Sequence, residues 1–214
     1  MSVFLRYTLL LILVVILNSC TTTQLVQQWK NPEIDTLTMS KVLIIGMTPN
    51  IEVRDQFEKL LKKEFELRGV DAVVSLDIFE PDLTTEKKTK KELKVIENIL
   101  TANFFDAVLF TKVIGVEDRE VFLEKYKEKK YLDVKFKEDY YNHQDILEDS
   151  RYYKKYKIYN AESSLYCICP TKDRELIWKG YIDVVNPTSL EETVNDYVNL
   201  LILVLEKQSL LEKK

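Results

Sequence analysis

His143 is the only histidine in the chain. A Ser-His-Asp or Cys-His arrangement, in which an imidazole takes the nucleophile's proton, would have to use it. It stands in a highly charged stretch and no G-x-S-x-G turn accompanies it, so a solvated loop histidine is expected. Cys167 and Cys169 are two apart in a segment of strand character, which puts both thiols on one face. Such neighbours are poorly set to bond to each other. As soft-metal ligands they lack companions, since there is no second cysteine pair and no histidine cluster. Buried thiols acting as small apolar groups are expected. Glu138, Asp139, Asp145, Glu148 and Asp149 form an acidic cluster without the ligand spacing or turn glycine of a calcium loop. Arg54 and Glu58 stand four apart on a helix-like pattern. That spacing predicts an ordinary ion pair of roughly 0.2–0.5 kcal/mol; a polar contact to a ligand at the sheet edge is the sharper reading. Gly46-Met-Thr-Pro-Asn50 follows a strand-like run, as a dinucleotide loop does, but lacks the second and third glycines that let backbone approach a pyrophosphate. A strand-end turn is expected at Gly46. These residues predict no catalytic site, no metal site and no cofactor, and the chain reads as a non-enzyme.

One cysteine has a stronger context. Residues 9–17 are an unbroken apolar run behind Arg6, followed by Asn18-Ser19-Cys20. Nine helical residues rise roughly 14 Å, about half of a ~30 Å hydrocarbon core, so the run fits a signal-peptide core better than a membrane span. Leu17-Asn18-Ser19-Cys20 resembles the lipobox of bacterial lipoproteins. The resemblance implies cleavage before Cys20, acylation of its thiol with chains such as palmitate, and membrane attachment. Two or more acyl chains give a stable anchor where one does not. Thr21 in place of an aspartate after the cysteine implies, by the same resemblance, the outer membrane, facing the periplasm.

The net charge is −4, and cleavage would remove one arginine and no acid. Overall charge gives no argument for a nucleic-acid partner. Residues 20–40 are polar and threonine-rich and read as a lipidated tether, with Trp29 laid on the domain edge or, alternatively, at the membrane interface. Residues 41–208 read as one α/β domain, and 209–214 as a tail. Residues 41–46 form a buried strand. Thr48-Pro49 offers a cap and a first-turn proline, and apolar residues at helical spacing run to Gly69. Residues 71–76 form a second strand, making a βαβ unit with parallel strands. A helix over 86–101 buries Leu93, Ile96 and Leu100, and a third strand spans 105–113. Residues 158–169 and 175–185 read as an antiparallel hairpin, with Leu176, Trp178, Gly180, Ile182 and Val184 on one face. A last helix buries Leu190, Val194, Tyr197, Val198, Leu201 and Leu205. The expected fold is a mixed sheet with flanking helices. Residues 119–157 interrupt this order. They are rich in charge, hold seven of the twelve tyrosines and show no clear apolar face, so they read as an insertion with weak local structure.

Trp29-x-x-Pro32, the strand 42–46, Arg54-x-x-Phe57-Glu58 with Gly69 and Ser75, and Leu176-x-Trp178-x-Gly180 resemble uncharacterised lipoproteins of Gram-negative envelopes. Their α/β domain is similar in layout to the amino-terminal domain of TolB and to the curli-secretion lipoprotein CsgG. The resemblance implies a fold and a compartment and brings no catalytic residue; channel-forming segments like those of the curli protein have no counterpart in the sequence. The expected role is a non-enzymatic envelope module, held to a membrane through Cys20 and meeting another envelope protein or a glycan through 119–157. An envelope hydrolase would instead need a deep pocket of convergent polar groups. A small-ligand carrier would need an apolar cavity, whereas the short buried strands predict a filled core.

Overall fold

The computed structural model describes residues 22–48, 50–80, 88–122, 153–168, 175–187 and 189–213. Cys20, His143, Cys169 and the acidic cluster lie outside the described residues.

The element order is β1 (Thr23–Lys30), β2 (Lys41–Met47), α1 (Ile51–Glu66), β3 (Asp71–Val74), a 3-10 turn (Ser75–Asp77), α2 (Lys90–Ala102), β4 (Ala107–Phe122), β5 (Tyr153–Cys167), β6 (Leu176–Val185) and α3 (Leu190–Lys207). The six strands form one mixed sheet in the order β1-β6-β5-β4-β2-β3. β2 is parallel to both β3 and β4, as the βαβ reading requires. β4–β5, β5–β6 and β6–β1 are antiparallel. The carboxyl ends of β2, β4 and β6 and the amino end of β1 therefore share one end of the sheet.

α1 and α3 cover one face. Their apolar stripes, including Phe57, Leu61 and Phe65 of α1 and Val198, Leu201 and Leu205 of α3, close over Val42, Ile44, Leu109, Leu165 and Ile182. α2 covers part of the other face, where Leu100 joins Leu43, Ile45, Phe105 and Val108. Leu93, expected on the buried stripe of α2, is half exposed.

Local chemistry sets the helix ends. Asn50, not Thr48, caps α1: its side-chain oxygen accepts from the N–H groups of Glu52 and Val53, satisfying donors that have no intrahelical partner. The Thr48 hydroxyl instead accepts from Asn50 N–H. At the other end Gly69 adopts φ +79°. Its N–H bonds Glu66 O while Val70 N–H bonds Phe65 O, the Schellman closure that favours glycine at the left-handed position. Thr89 and Glu92 form a reciprocal capping box on α2. Ser189 caps α3.

Four expectations about boundaries are corrected. Thr23–Lys30, within the expected tether, is an edge strand paired along β6. Its mix of apolar residues and three glutamines, mostly exposed, suits an edge strand, which solvent and the sheet share. Trp29 stands opposite Lys179 near the far end of this strand and is 46% exposed. Leu210 and Leu211, in the expected tail, are buried in the main core. The expected insertion begins and ends as sheet: β4 and β5 remain paired to Phe122↔Tyr153, past the point where β6 ends at Ile158↔Val185. The two strands form an arm that leaves the body at the carboxyl end of β4. Finally, Gly46 lies within β2 and is not a turn residue. A Cβ there would stand 3.1 Å from Phe57 Cδ1, so its bareness lets α1 sit close on the strand.

Candidate functional site

The Arg54–Glu58 pair is buried, at 1% and 0% exposure, and is not the surface pair expected from its spacing. Arg54 Nε donates to Glu58 Oε1 at 3.0 Å, and another guanidinium N–H donates to Ser75 Oγ at 2.6 Å. Ser75 donates to Glu58 Oε1 at 2.5 Å. Backbone N–H groups of Gly46 and Leu76 donate to the same carboxylate at 2.9 and 3.3 Å. A charge taken out of water is tolerated only with such compensation. The network joins α1, the end of β2 and the turn after β3. Periodicity could show that residues 54 and 58 share a face; it could not show that this face meets Ser75.

Beside this network, at the carboxyl ends of β2 and β6 and midway along β4, a cleft of about 540 Å³ opens between the amino-terminal ends of α1 and α3. Clefts of this size, roughly 300–1,000 Å³, are typical of small-molecule sites. Ligands of open α/β sheets commonly sit at this end of the strands. Val53 and Phe57 of α1, Ala161 of β5, Val184 of β6 and Leu190 and Val194 of α3 make its lining mostly apolar. Phe57 and Tyr197, both in the lining, meet edge to face with ring centroids 6.0 Å apart. The cleft opens at the ends of the strands, beside a core that is itself packed as expected.

Most polar side chains in the lining have a partner in the fold; the phenol of Tyr159 lines the cleft as well. Thr48 and Asn50 are used at the start of α1, and Arg54 in the buried network. Thr111 shares a 2.6 Å hydrogen bond with Ser163, which shares another of 2.9 Å with Tyr197 Oη. Burial pushes the Tyr197 phenol well above its ordinary value, the Ser163 bond pulling weakly the other way. It stays a neutral hydroxyl. Ser189 accepts from Glu192 N–H, and Thr193 donates to Ser189 O. Lys112 turns to the opposite face of the sheet, where its ammonium and that of Lys179 hold Glu162 at 3.2 and 3.0 Å. Burial alone would push the Glu162 carboxyl up; the two ammoniums more than offset it and hold it below its usual range. The cleft offers apolar walls and no nucleophile beside a base. The apolar lining residues fall on separate elements, so nothing in their sequence spacing marks them as neighbours.

Cys167 is buried and disulfide-bonded. This corrects the expectation of a free thiol. Among the described residues no group of three or more His, Cys, Asp or Glu could hold a metal ion, and no helix is long and apolar enough to cross a membrane.

The amino-terminal side of the fold is tied close to the cleft. Thr22 N–H and hydroxyl both donate to Asp196 Oδ2 of α3, at 3.1 and 3.0 Å. Val185 N–H donates to Thr22 O at 2.7 Å. Val184, Thr193 and Tyr197, the neighbours of those partners, line the cleft.

No family model matches the chain, and no curated protein matches it. Among solved structures it is similar to the PelC dodecamer of Paraburkholderia phytofirmans, at 8% identity over 88% of this chain and 98% of that one, with a TM-score of 0.45. It is also similar to the lipoprotein GNA1162 of Neisseria meningitidis, at 10% identity over 79% of this chain and 96% of that one, with a TM-score of 0.39. At these identities and scores the likenesses carry no inference about this chain's role.

Proposed function

We propose that this chain is a membrane-anchored envelope lipoprotein whose α/β domain binds another envelope component without chemistry. The observation that carries the reading is Cys20 at the end of the apolar run 9–17, in the setting of a lipobox. The attachment of Thr22 to Asp196 supports it in a modified form. Only Thr21 separates Cys20 from a residue fixed on the fold. Covalent geometry then limits the span from Cys20 to Thr22 to about 7 Å, so an acylated Cys20 holds the domain against its membrane and not on a long tether. The outer membrane, the periplasmic face and the likeness to TolB and CsgG belong to this reading.

The hydrolase alternative gains no support, because most polar groups lining the cleft are engaged within the fold. The carrier alternative gains from the apolar cleft. The segment 119–157 is assigned to an envelope protein or glycan; the β4–β5 ladder that flanks it runs on past the end of β6. The test is crosslinking in native envelopes followed by mass spectrometry, with residues 123–152 replaced by a short Gly-Ser turn. Phe122 and Tyr153 are already paired, so a tight turn can close the hairpin. The reading predicts that the shortened chain stays folded and anchored and loses its crosslinks; an unchanged crosslink pattern rejects the arm as the binding surface.

A further inference from the structure

We propose that the cleft between the amino-terminal ends of α1 and α3 holds one acyl chain of a bilayer lipid. The source of the chain rests on the anchored reading above; the site itself rests on geometry.

The lining selects the chemistry. A ligand that needs several fixed donors or acceptors finds most of them already committed, from Asn50 at one helix cap to Ser189 at the other. Displacing those bonds would leave helix-end N–H groups without partners. A hydrocarbon chain makes no such demand. It gains by taking the apolar walls out of water, at about 25 cal/mol per Å², and leaves the internal hydrogen bonds in place. A flexible chain also adapts to walls supplied by six separate elements.

The surroundings select the source. The mouth carries apolar side chains that face solvent: Met47 is 39% and Val113 53% exposed, and the adjacent Ile51 and Ile114 are each 50% exposed. Apolar residues clustered around an opening mark a surface that meets an apolar phase or partner. The cleft lies at the end of the sheet where β1 begins, next to the residues that hold Thr22. With Cys20 acylated, the bilayer is the nearest apolar phase. The head group stays at the interface while one tail enters the cleft.

The experiment uses the full lipidated chain in phosphatidylcholine–phosphatidylglycerol vesicles containing a phosphatidylcholine with a diazirine in one acyl chain. After irradiation, crosslinked peptides are mapped by mass spectrometry. The expected crosslinks fall on the peptides spanning 47–57 and 187–197. Thr193→Trp and Met47→Trp, each at a lining position of the cleft, should each reduce them at least tenfold with melting behaviour retained. Crosslinks confined to other peptides, or unchanged in both variants, overturn the proposal. A second arm separates this result from the anchor. The Cys20→Ser chain in solution is given a diazirine fatty acid. Labelling of the same peptides there, with none from the vesicle lipid in the wild type, keeps an acyl site but overturns its bilayer source. Labelling in neither arm overturns the site even if Cys20 proves to be acylated.

Discussion

Thr22 and Asp196, 174 residues apart in sequence, meet through two hydrogen bonds to one carboxylate oxygen. A third runs from the Thr23 hydroxyl to the Asp196 carbonyl. An edge strand has one free side and frays from its end, so these contacts fix where β1 starts. Asp196→Ala removes the acceptor of two donors and should cost about 1–3 kcal/mol. Amide hydrogen exchange should rise first in residues 22–25. A protected β1 in this variant would show that pairing with β6 alone holds the strand.

The buried carboxylate of Glu58 gathers donors from Arg54, Ser75, Gly46 and Leu76. Glu58→Ala leaves the Arg54 charge without its main compensation, and breaking such a pair costs about 3–5 kcal/mol. Denaturant unfolding measures this as a lower midpoint at an unchanged slope. A loss of only a few tenths of a kcal/mol would mean that solvent reaches the pair.

Trp178 is fully buried and lies across Gly180. A Cβ at position 180 would stand 2.4 Å from its Cη2 atom. Two substitutions therefore report on one contact. Trp178→Ala should cost about 3–5 kcal/mol by opening a cavity, and Gly180→Ala about 1–3 kcal/mol by displacing the ring. In the Trp178→Ala background the Gly180→Ala change should cost far less, because the obstructing ring is gone. Additive losses in the double variant would refute the contact.

Much of this fold was legible in the sequence because burial leaves a period. The apolar run of β2, the helical spacing of α1 and α3, and the alternation of β6 each name an element and its inner face. Edge elements were not legible. β1 buries little, and its glutamines look like linker until β6 supplies the hydrogen bonds. Leu210 and Leu211 follow a helix end and lack a repeat of their own. The register slip at β6 was equally hidden: Leu165 pairs with Trp178 and Tyr166 with Leu176, so Ile177 and Trp178 are both buried where strict alternation allows one. The site was the least legible part. Its walls come from α1, α3 and four strands, and the network of Arg54, Glu58 and Ser75 needs a turn that brings Ser75 back to α1.

Glu162 gives the fold a pH dependence of known sign. Its carboxyl is held below its ordinary value of 4.5 by Lys179 and Lys112, which outweigh burial. The stability it contributes is fully present above that ordinary value and is lost as the pH falls through the lower folded value. Glu162→Gln should destabilise the domain by about 1–3 kcal/mol at pH 7. The gap between the two proteins should close in acid. A gap that stays constant from pH 7 to pH 3 would contradict the assignment.

The central claim is the anchor, and metabolic labelling with an alkyne fatty acid in bacterial cells tests it most directly. The account predicts that the wild-type chain takes up the label on Cys20 and sediments with membranes, and that Cys20→Ala takes up none and is released or remains uncut. A wild-type chain that carries no label would contradict it.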